Sequence, residues 1–367
     1  MWLDTLIPFE EGPAPQVRGL AFRGFGLRRA RTAQGTVPVT EDIAAHLPYA
    51  QMRRFRRAGD ARRVLVVAPL AGGFPLLMRD LVAGLLRHAG EVHVTDWPDP
   101  RHVPAERAFG FDENCLETAR MIRALGPGGH VVGVCQGVIP ALSAALLLAA
   151  QGEGPASLTL LGGPVDPACN PTHLDTLLTQ TPLDAFAQMM ERVPPPFAGA
   201  GRLVFPRRRQ MQTFALYLWR QALSGGELPR MLLADDGEDP FLFPLSRLCW
   251  DMMDIPADFF LGNVAQVFQR RALMTGTLEI AGRRVEPEAL AACALLTGEA
   301  ELDDISAPGQ TRAAHDLCRA VPEGLSRHVL VPKAGHFSLF YGRAMRDAVL
   351  PAIANLMSAA EARGLRP

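Results

Sequence analysis

The sequence has almost no excess of charge. Its 367 residues carry 37 basic and 38 acidic side chains, a formal net charge of −1, with no long block of one sign. Lys333 is the only lysine, so arginine supplies nearly all the positive charge, which indicates a compositional bias rather than an anion-binding device. Proteins that bind nucleic acid concentrate positive charge on one surface. We therefore expect no nucleic-acid partner.

Cysteine is scarce and scattered. No CxxC pair occurs, and no histidine pair lies near any of the six residues Cys115, Cys135, Cys169, Cys249, Cys293 and Cys318. Zinc sites and disulfide frameworks need such spacings, so neither is indicated. This usage fits a reducing cytoplasm best.

Long hydrophobic runs and a signal peptide are also missing. The longest apolar stretch, Val138 to Ala150, is too short to cross a membrane and is typical of a buried helix. The first residues, MWLDTLIPFEEGPAP, carry acidic side chains where a signal peptide is basic. We expect a cytoplasmic protein without a membrane span, and the composition leaves open whether it forms a homo-oligomer.

What the chain does contain is the pattern of an α/β protein. Hydrophobic residues make up 48% of it, and from about residue 62 short β-branched runs alternate with helical patterns. This predicts a mostly parallel sheet with both faces covered by helices. The predicted strands lie in 62–73, 91–97, 130–135, 157–163, 289–298 and 327–332. The predicted helices span 76–88, 112–125, a run from 136, 310–321 and 344–360.

The alternation stops after Pro164. Residues 167–285 are helical in pattern, interrupted by proline, and rich in Met, Phe and Trp, with little β character. We interpret them as an inserted helical cap, or lid, domain. The α/β core then comprises 62–166 and 286–367, and residues 1–61 form an irregular segment with possible strands but no firm element.

A nucleophile is predicted between a strand and a helix. The pentapeptide Gly133-Val-Cys-Gln-Gly137 has small residues two before and two after Cys135, as the sharp turn of a nucleophile elbow requires. The start of the following helix favours the thiolate of this cysteine. A buried structural cysteine is the alternative, because free cysteine is among the most buried residue types.

The other triad members should follow in the order acid, then histidine. The loop GEAELDDIS (298–306) comes after a predicted strand and offers Asp303 and Asp304. We favour Asp303, because the acid in such loops is followed by one residue and then an aliphatic one. His336, in KAGHF after the last predicted strand, is where a general base should lie. Order and context together predict a triad with Cys135.

Acyl transfer also needs donors for an oxyanion. The backbone N–H of Gln136, directly after the nucleophile, is one predicted donor. The second should come from the loop after the first core strand, Pro69-Leu-Ala-Gly-Gly73, through Leu70 or Ala71. A plain glycine turn is the alternative reading of this loop.

These residues resemble the intracellular poly(3-hydroxyalkanoate) depolymerases, which are α/β-hydrolases with a Cys-Asp-His triad. The likeness covers most of the chain from about residue 60. Its most specific parts are the DDIS…GQT and GH…F-x-G blocks, which generic hydrolases lack. The similar segments are VAPLAGG (67–73), TDWPDPRHVP (95–104), VCQ (134–136) and the ranges 272–287, 295–311 and 335–342.

The resemblance implies an α/β-hydrolase fold with an inserted cap, acting on a storage polyester such as poly(3-hydroxybutyrate). Cys135 would be the nucleophile, Asp303 the acid and His336 the base, with hydroxyalkanoate oligomers or monomers released through a thioester. No metal or organic cofactor is required. The partner would be the polyester or the granule surface. Candidate substrate contacts are Trp219, Tyr217, Trp250 and Phe337.

One departure concerns the direction of the reaction. Proline often follows Cys-Gln in this family, whereas Gly137 completes a box closer to that of polyhydroxyalkanoate synthases. The acid loop, Asp303-Asp-Ile-Ser306, does not match the Asp-His-Ile-Ala-Pro-Trp loop of those synthases. A synthase-like acyltransferase or a small-ester or thioester hydrolase stays an alternative. A non-catalytic granule-binding protein is a second one.

Overall fold

The computed structural model describes residues 24–71 and 75–365. Its strands are β1 (Arg29–Thr32), β2 (Gly35–Pro38), β3 (Thr40–His46), β4 (Gln51–Arg56), β5 (Arg63–Val67), β6 (Glu91–Asp96), β7 (His130–Val134), β8 (Ser157–Leu161), β9 (Glu191–Arg192), β10 (Leu203–Phe205), β11 (Ile255–Pro256), β12 (Glu279–Ile280), β13 (Arg283–Arg284), β14 (Ala294–Ala300) and β15 (Ser326–Val331). Its α-helices are α1 (Arg79–Leu85), α2 (Phe111–Leu125), α3 (Val138–Ala149), α4 (His173–Gln180), α5 (Leu183–Ala187), α6 (Arg207–Ser224), α7 (Glu227–Ala234), α8 (Leu245–Trp250), α9 (Ala257–Asn263), α10 (Ala314–Leu317), α11 (Gly342–Ala344) and α12 (Leu350–Ala362).

One large sheet organises the molecule. Its eight strands run in the order β15-β14-β8-β7-β5-β6-β4-β3. The strands from β15 to β6 pair in parallel, while β4 is antiparallel to both β6 and β3. Every residue of β7, β8 and β14 is buried, because α2 packs on α3 and α1 packs on α12 around the sheet. The predicted mostly parallel sheet flanked by helices is confirmed.

Most predicted core elements lie where the sequence indicated, but two differ. The strand predicted over 289–298 begins only at Ala294, because a 3₁₀ segment that opens with Pro287 precedes it. The helix predicted over 310–321 is reduced to α10. Here the buried side chain of Gln310 binds Asp175 of α4, and that of Thr311 binds Gly163 in the loop after β8, which holds the chain in turns.

The sequence indicated possible strands but no firm element before residue 62, and within residues 24–61 the structure has four strands. β1 and β2 form a hairpin, while β3 and β4 extend the main sheet. β3 lies at the sheet edge and has no buried residue, so it lacks the apolar alternation that would reveal it. Arg53 of β4 binds Asp96 at 2.7 Å and Glu41 at 3.0 Å, joining three strands. Residues 1–23, Gly72 and Gly73 lie outside the described residues.

Residues 167–285, hereafter the cap segment, lie between β8 and β14 in the chain. They contain α4 to α9, and also a three-stranded sheet of β9, β10 and β11 and the hairpin β12–β13, which the sequence did not indicate. Buried Asp254 joins this segment to the loop after β6. It accepts from Arg101 Nε at 2.6 Å and from the backbone N–H of Arg207, the first residue of α6, at 2.7 Å. That the segment moves as a lid stays a prediction.

Candidate active site

Cys135 lies on a strained turn between β7 and α3. Its φ of +52° is in the left-handed region, which non-glycine residues rarely adopt. A Cβ on Gly133 would lie 2.8 Å from the Cβ of Ala141, and one on Gly137 would lie 2.2 Å from the carbonyl oxygen of Val67. Both glycines are therefore required by close packing. The turn has the geometry of a nucleophile elbow.

His336 and Asp303 form a buried pair beside this turn. The imidazole Nδ1 lies 2.7 Å from Asp303 Oδ2. The other carboxylate oxygen, Oδ1, accepts the backbone N–H groups of Ile305 and Ser306, both at 2.9 Å. The carboxylate is thus fixed in orientation by its own loop. With Nδ1 occupied, Nε2 is the ring nitrogen left for the cysteine.

The electrostatics of the pair favour a charged imidazole. Burial alone would lower the pKa of His336, but the Asp303 carboxylate and the Cys135 thiolate outweigh it and raise that pKa well above the usual value. The side chain of Cys135 is therefore close enough to the imidazole to act on its pKa. All three predicted triad residues are therefore brought together, in an arrangement that can hold a thiolate–imidazolium pair.

Asp304, the alternative acid, contacts the cap segment instead. Its Oδ1 accepts from the Tyr217 hydroxyl at 2.7 Å, and its Oδ2 accepts from Gln221 Nε2 at 2.7 Å and from Arg220 at 3.1 Å. All three partners lie on α6. The two neighbouring aspartates thus have different contacts: Asp303 binds the imidazole, and Asp304 ties the acid loop to the cap segment.

The Gln-Thr part of the DDIS…GQT block braces the acid loop. Thr311 Oγ1 donates to the carbonyl of Gly163 and accepts from its N–H, both at 2.9 Å. Gln310 Nε2 donates to Asp175 of α4 at 2.6 Å. A Cβ on Gly163 would lie 2.6 Å from the carbonyl oxygen of Cys135. These contacts link the acid loop to the nucleophile through the loop after β8.

The TDW part of TDWPDPRHVP supports the loop that follows β5. The backbone N–H of Ala68 donates to Thr95 Oγ1, and Trp97 Nε1 donates to the carbonyl of Ala68, each at 2.9 Å. Thr95 and Trp97 are fully buried. The loop with the predicted oxyanion donors is therefore anchored at its base.

The three residues predicted to supply oxyanion donors lie together, and the donors of Leu70 and Ala71 are already engaged. The side-chain Oε1 of Gln136 accepts the backbone N–H of Leu70 at 3.2 Å and that of Ala71 at 2.9 Å. The sequence predicted a role only for the backbone of Gln136. The sequence feature that could have indicated this contact is the polar side chain of Gln136, directly after Cys135.

Aromatic side chains continue from His336 into the cap segment. The ring of Phe337 lies edge-on to the imidazole, 5.8 Å between centroids, and 6.4 Å from Phe214 of α6. Phe214 in turn lies 5.0 Å from Trp250 and 6.1 Å from Tyr217. Three of the four predicted substrate contacts thus form one aromatic row with the base. Phe214, which joins them, is not one of the four predicted contacts.

Trp219, the fourth predicted contact, faces solvent. It is 64% exposed on α6, as is Leu216, and Leu223 is 73% exposed. Spacings of three and four residues place these side chains on one helix face. Leu233, Phe241 and Leu242 add further exposed apolar surface to the cap segment.

Glu227 is a second contact between the cap segment and the catalytic loops. At the first turn of α7, it accepts the backbone N–H of Gly335 and the hydroxyl of Ser338, the latter at 2.9 Å. These residues flank His336. Nothing in the sequence around Glu227 indicated this contact, because its partners are more than a hundred residues away.

An open cleft of about 700 Å³ lies next to Glu227 and Ser338, with Lys333 and Leu302 also in its wall. Cys135 and His336 do not line it.

Among residues 24–71 and 75–365, no group of three or more His, Cys, Asp or Glu side chains is arranged to hold a metal ion. In the same residues, no helix combines the length and apolar character needed to cross a membrane.

Comparison with known proteins finds one family and many structures. The family described as PHB de-polymerase C-terminus matches residues 162–361. No curated protein matches the chain. Among solved structures, a protein described as a non-heme bromoperoxidase, from Mycobacterium tuberculosis, has a TM-score of 0.50 at 15% identity, covering 88% of this chain and 96% of its own.

Two further structures are similar at lower scores. An alpha/beta hydrolase fold protein from Nakamurella multipartita has a TM-score of 0.45 at 16% identity, covering 90% of this chain and 98% of its own. Carboxyl esterase 2 from the fungus Tuber melanosporum has a TM-score of 0.44 at 14% identity, covering 98% and 96%. At such identities structural likeness informs on fold alone. The predicted α/β-hydrolase fold is confirmed.

Proposed function

Because the chain belongs to the PHB de-polymerase C-terminus family and is thus a carboxylic ester hydrolase, we propose that it hydrolyses storage polyester resembling poly(3-hydroxybutyrate). The products would be hydroxyalkanoate oligomers or monomers. The single observation that carries the catalytic assignment is the buried His336–Asp303 contact of 2.7 Å beside the strained turn of Cys135. We assign Cys135 as nucleophile, His336 as base and Asp303 as the orienting acid.

In the first step, the Cys135 thiolate attacks the ester carbonyl carbon and the carbonyl π electrons move to oxygen. Backbone N–H groups hold this oxyanion, one from Gln136 and one from Leu70 or Ala71. Collapse of the intermediate breaks the C–O bond, and the departing alkoxide takes its proton from the His336 imidazolium. The result is a thioester on the cysteine and a free hydroxyl end of the polymer.

In the second step, neutral His336 takes a proton from water as the water oxygen attacks the thioester carbonyl. The C–S bond then breaks, and the thiolate is restored beside an imidazolium. Asp303 stays ionised throughout, holding the ring orientation and stabilising its positive charge. A carboxylic acid is released, and the atoms balance without a cofactor.

The aromatic row suits an apolar acyl chain. Phe337 stands beside the imidazole, and Phe214 and Trp250 extend the apolar surface into the cap segment. We propose that this row contacts the polyester chain near the scissile ester. The exposed face formed by Leu216, Trp219 and Leu223 would then rest on the granule surface.

A cytoplasmic location at storage granules is part of the same proposal. All six cysteines are free thiols, a state that a reducing compartment maintains.

The test is release of hydroxy acid from amorphous poly(3-hydroxybutyrate) by the purified protein. We expect release by the wild type and none by Cys135→Ala. Cys169→Ala is the matched control, because its thiol contacts Asp166 rather than the imidazole. If the wild type releases nothing, the depolymerase assignment fails. Equal release by Cys135→Ala would instead remove the cysteine from the mechanism.

The same assay separates the alternative functions. Gly137, which favoured a synthase on sequence grounds, is accounted for by its packing against Val67 and so does not distinguish synthesis from hydrolysis. CoA release from hydroxybutyryl-CoA with polymer growth would support a synthase. Granule binding without turnover of any ester would support the non-catalytic alternative.

A further inference from the structure

The side chain of Gln136 engages two of the donors that the proposed mechanism needs. Its Oε1 accepts from Leu70 N–H at 3.2 Å and from Ala71 N–H at 2.9 Å. A carboxamide oxygen is a neutral sp² acceptor, as is the carbonyl oxygen of an ester. In this structure Gln136 Oε1 therefore occupies the position in which the two N–H groups would bind a substrate oxygen.

The side chain of Gln136 has few other interactions among the described residues. Among the residues that the structure describes, it makes only these two hydrogen bonds. Gln136 is half-buried, whereas Val134 and Gly137 on either side of the elbow are buried. Departure would thus break two hydrogen bonds and carry the carboxamide toward solvent.

We propose that the Gln136 carboxamide is a removable plug of the oxyanion hole. In the resting enzyme the carboxamide oxygen accepts hydrogen bonds from the N–H groups of Leu70 and Ala71. It is displaced when the carbonyl of the acyl group enters the oxyanion hole. The inference rests on the proposed function, in which these N–H groups stabilise the oxyanion. It adds a positioning role for the side chain of Gln136, of which only the backbone N–H was assigned a role above.

The plug has a physical use in the empty site. Leu70 is only 2% exposed, so its N–H would lack a partner if nothing occupied the hole. The carboxamide satisfies that donor and keeps the loop in the geometry that catalysis requires.

The charge on the substrate oxygen determines when the Gln136 carboxamide is displaced. A neutral ester carbonyl forms hydrogen bonds no stronger than those of the carboxamide, so bound substrate gains little by displacing it. The oxyanion of the tetrahedral intermediate forms bonds about twice as strong. Displacing the plug therefore costs the ground state and the transition state about the same free energy, so the plug raises KM and leaves kcat nearly unchanged.

The alternative to a plug is a fixed brace, in which the Gln136 side chain stays bound to the loop throughout catalysis and only supports it. Two variants distinguish the two. Gln136→Met keeps the side-chain length but removes the amide acceptor. Gln136→Glu keeps the acceptor and adds negative charge, which strengthens its bonds to both N–H groups. We would measure kcat and KM for each on a soluble chromogenic acyl ester, with thermal unfolding to verify folding.

For a plug, Gln136→Met lowers KM by about three- to tenfold, the gain from an unoccupied pair of donors. Gln136→Glu lowers kcat/KM by about 10²-fold, because a carboxylate both retains the donors and repels the oxyanion. A fixed brace gives the opposite pattern in Gln136→Met, with kcat lost and KM not lowered, and that pattern would overturn the proposal. Should Gln136→Met fail to fold, Gln136→Leu, which also lacks the acceptor, is measured in its place.

Polymer hydrolysis is measured in parallel, so that the two proposals fail separately. If the wild type releases no hydroxy acid from poly(3-hydroxybutyrate) but the plug pattern holds on the soluble ester, the substrate assignment is wrong and the plug stands. If hydroxy acid is released and the brace pattern is found, the plug is wrong and the depolymerase assignment stands.

Discussion

The imidazole Nδ1 of His336 lies 2.7 Å from Oδ2 of Asp303, and their side chains are only 3% and 0% exposed. The adjacent carboxylate, Asp304, binds three side chains of α6. Of these two neighbouring aspartates, one therefore contacts the imidazole of His336 and the other contacts the cap segment. The division makes their substitution the most direct test of the site.

Asp303→Asn should lower kcat by about 10³- to 10⁴-fold, because an amide neither stabilises the imidazolium nor fixes the correct tautomer. Asp304→Asn is the matched control one residue away. Its carboxamide oxygen can still accept from Tyr217 and Gln221, so we expect kcat within a few-fold of wild type. Activity on a soluble ester measures both, and the reverse ranking would assign Asp304 as the acid.

The raised pKa of His336 predicts a falling stability at alkaline pH. Between the usual value near 6.5 and the higher native value, the folded protein binds more protons than the unfolded chain. The stabilisation is therefore fully present below about pH 6.5 and is lost as pH rises through the native pKa. Urea unfolding of wild type and His336→Gln across this range should show the difference in unfolding free energy shrinking with pH.

The direct measurement is an imidazole chemical-shift titration of His336, in wild type and in Asp303→Asn. Removing the carboxylate should lower the pKa of the ring, because burial then acts with less opposition. A stability difference that grows with pH, or an unchanged titration in Asp303→Asn, would contradict the thiolate–imidazolium arrangement.

The parallel core and the order of the catalytic residues could be predicted from sequence because both depend on local pattern. β7 and β14 are strands whose residues are all buried, and the motifs of Cys135 and Asp303 follow them directly. The His336 motif follows β15, the last strand. β3 could not be found this way. It lies at the sheet edge, where exposed polar residues replace the apolar alternation.

The missing parts of the site depend on approach between distant segments. The side chain of Gln136 meets the N–H of Leu70 across 66 residues, and Glu227 meets that of Gly335 across 108. No periodicity encodes such contacts. Asp303 could be preferred over Asp304 from the sequence because the turn that holds it is local, with the N–H groups of Ile305 and Ser306 bound to its own carboxylate.

Gly137→Ala should damage both folding and activity. The new Cβ would lie 2.2 Å from the carbonyl oxygen of Val67, so the elbow or the end of β5 must move. We expect a loss of about 1–3 kcal/mol in the free energy of unfolding, as for other overpacked sites. Displacement of the nucleophile by about 1 Å should lower kcat by about 10²-fold.

Gly324→Ala is the control for this substitution. Gly324 is exposed, and its nearest neighbour to an added Cβ is the flexible end of Arg363 at 3.4 Å. Chemical denaturation and ester turnover of the two variants would be compared. A Gly137→Ala protein with normal stability and turnover would mean that the close contact with Val67 relaxes without cost.

The exposed face of α6 predicts a difference between soluble and granular substrate. Trp219→Ser removes a large apolar side chain that is 64% exposed and lies outside the aromatic row. If this face rests on polyester, the variant should bind granules about tenfold more weakly, the loss expected from about 1–2 kcal/mol of apolar burial. Turnover of a soluble ester should fall far less, because the rings that contact the imidazole are those of Phe337 and Phe340 and not that of Trp219.

Gln212→Ser supplies the control on the same helix. Gln212 is exposed and precedes Leu216 by one helical turn, so it shares the face of Trp219 without contributing large apolar surface. Sedimentation of protein with amorphous poly(3-hydroxybutyrate) granules measures adsorption of the two variants. Equal adsorption by Trp219→Ser and Gln212→Ser would place granule contact elsewhere on the molecule, whereas a loss in Trp219→Ser alone assigns it to this face of α6.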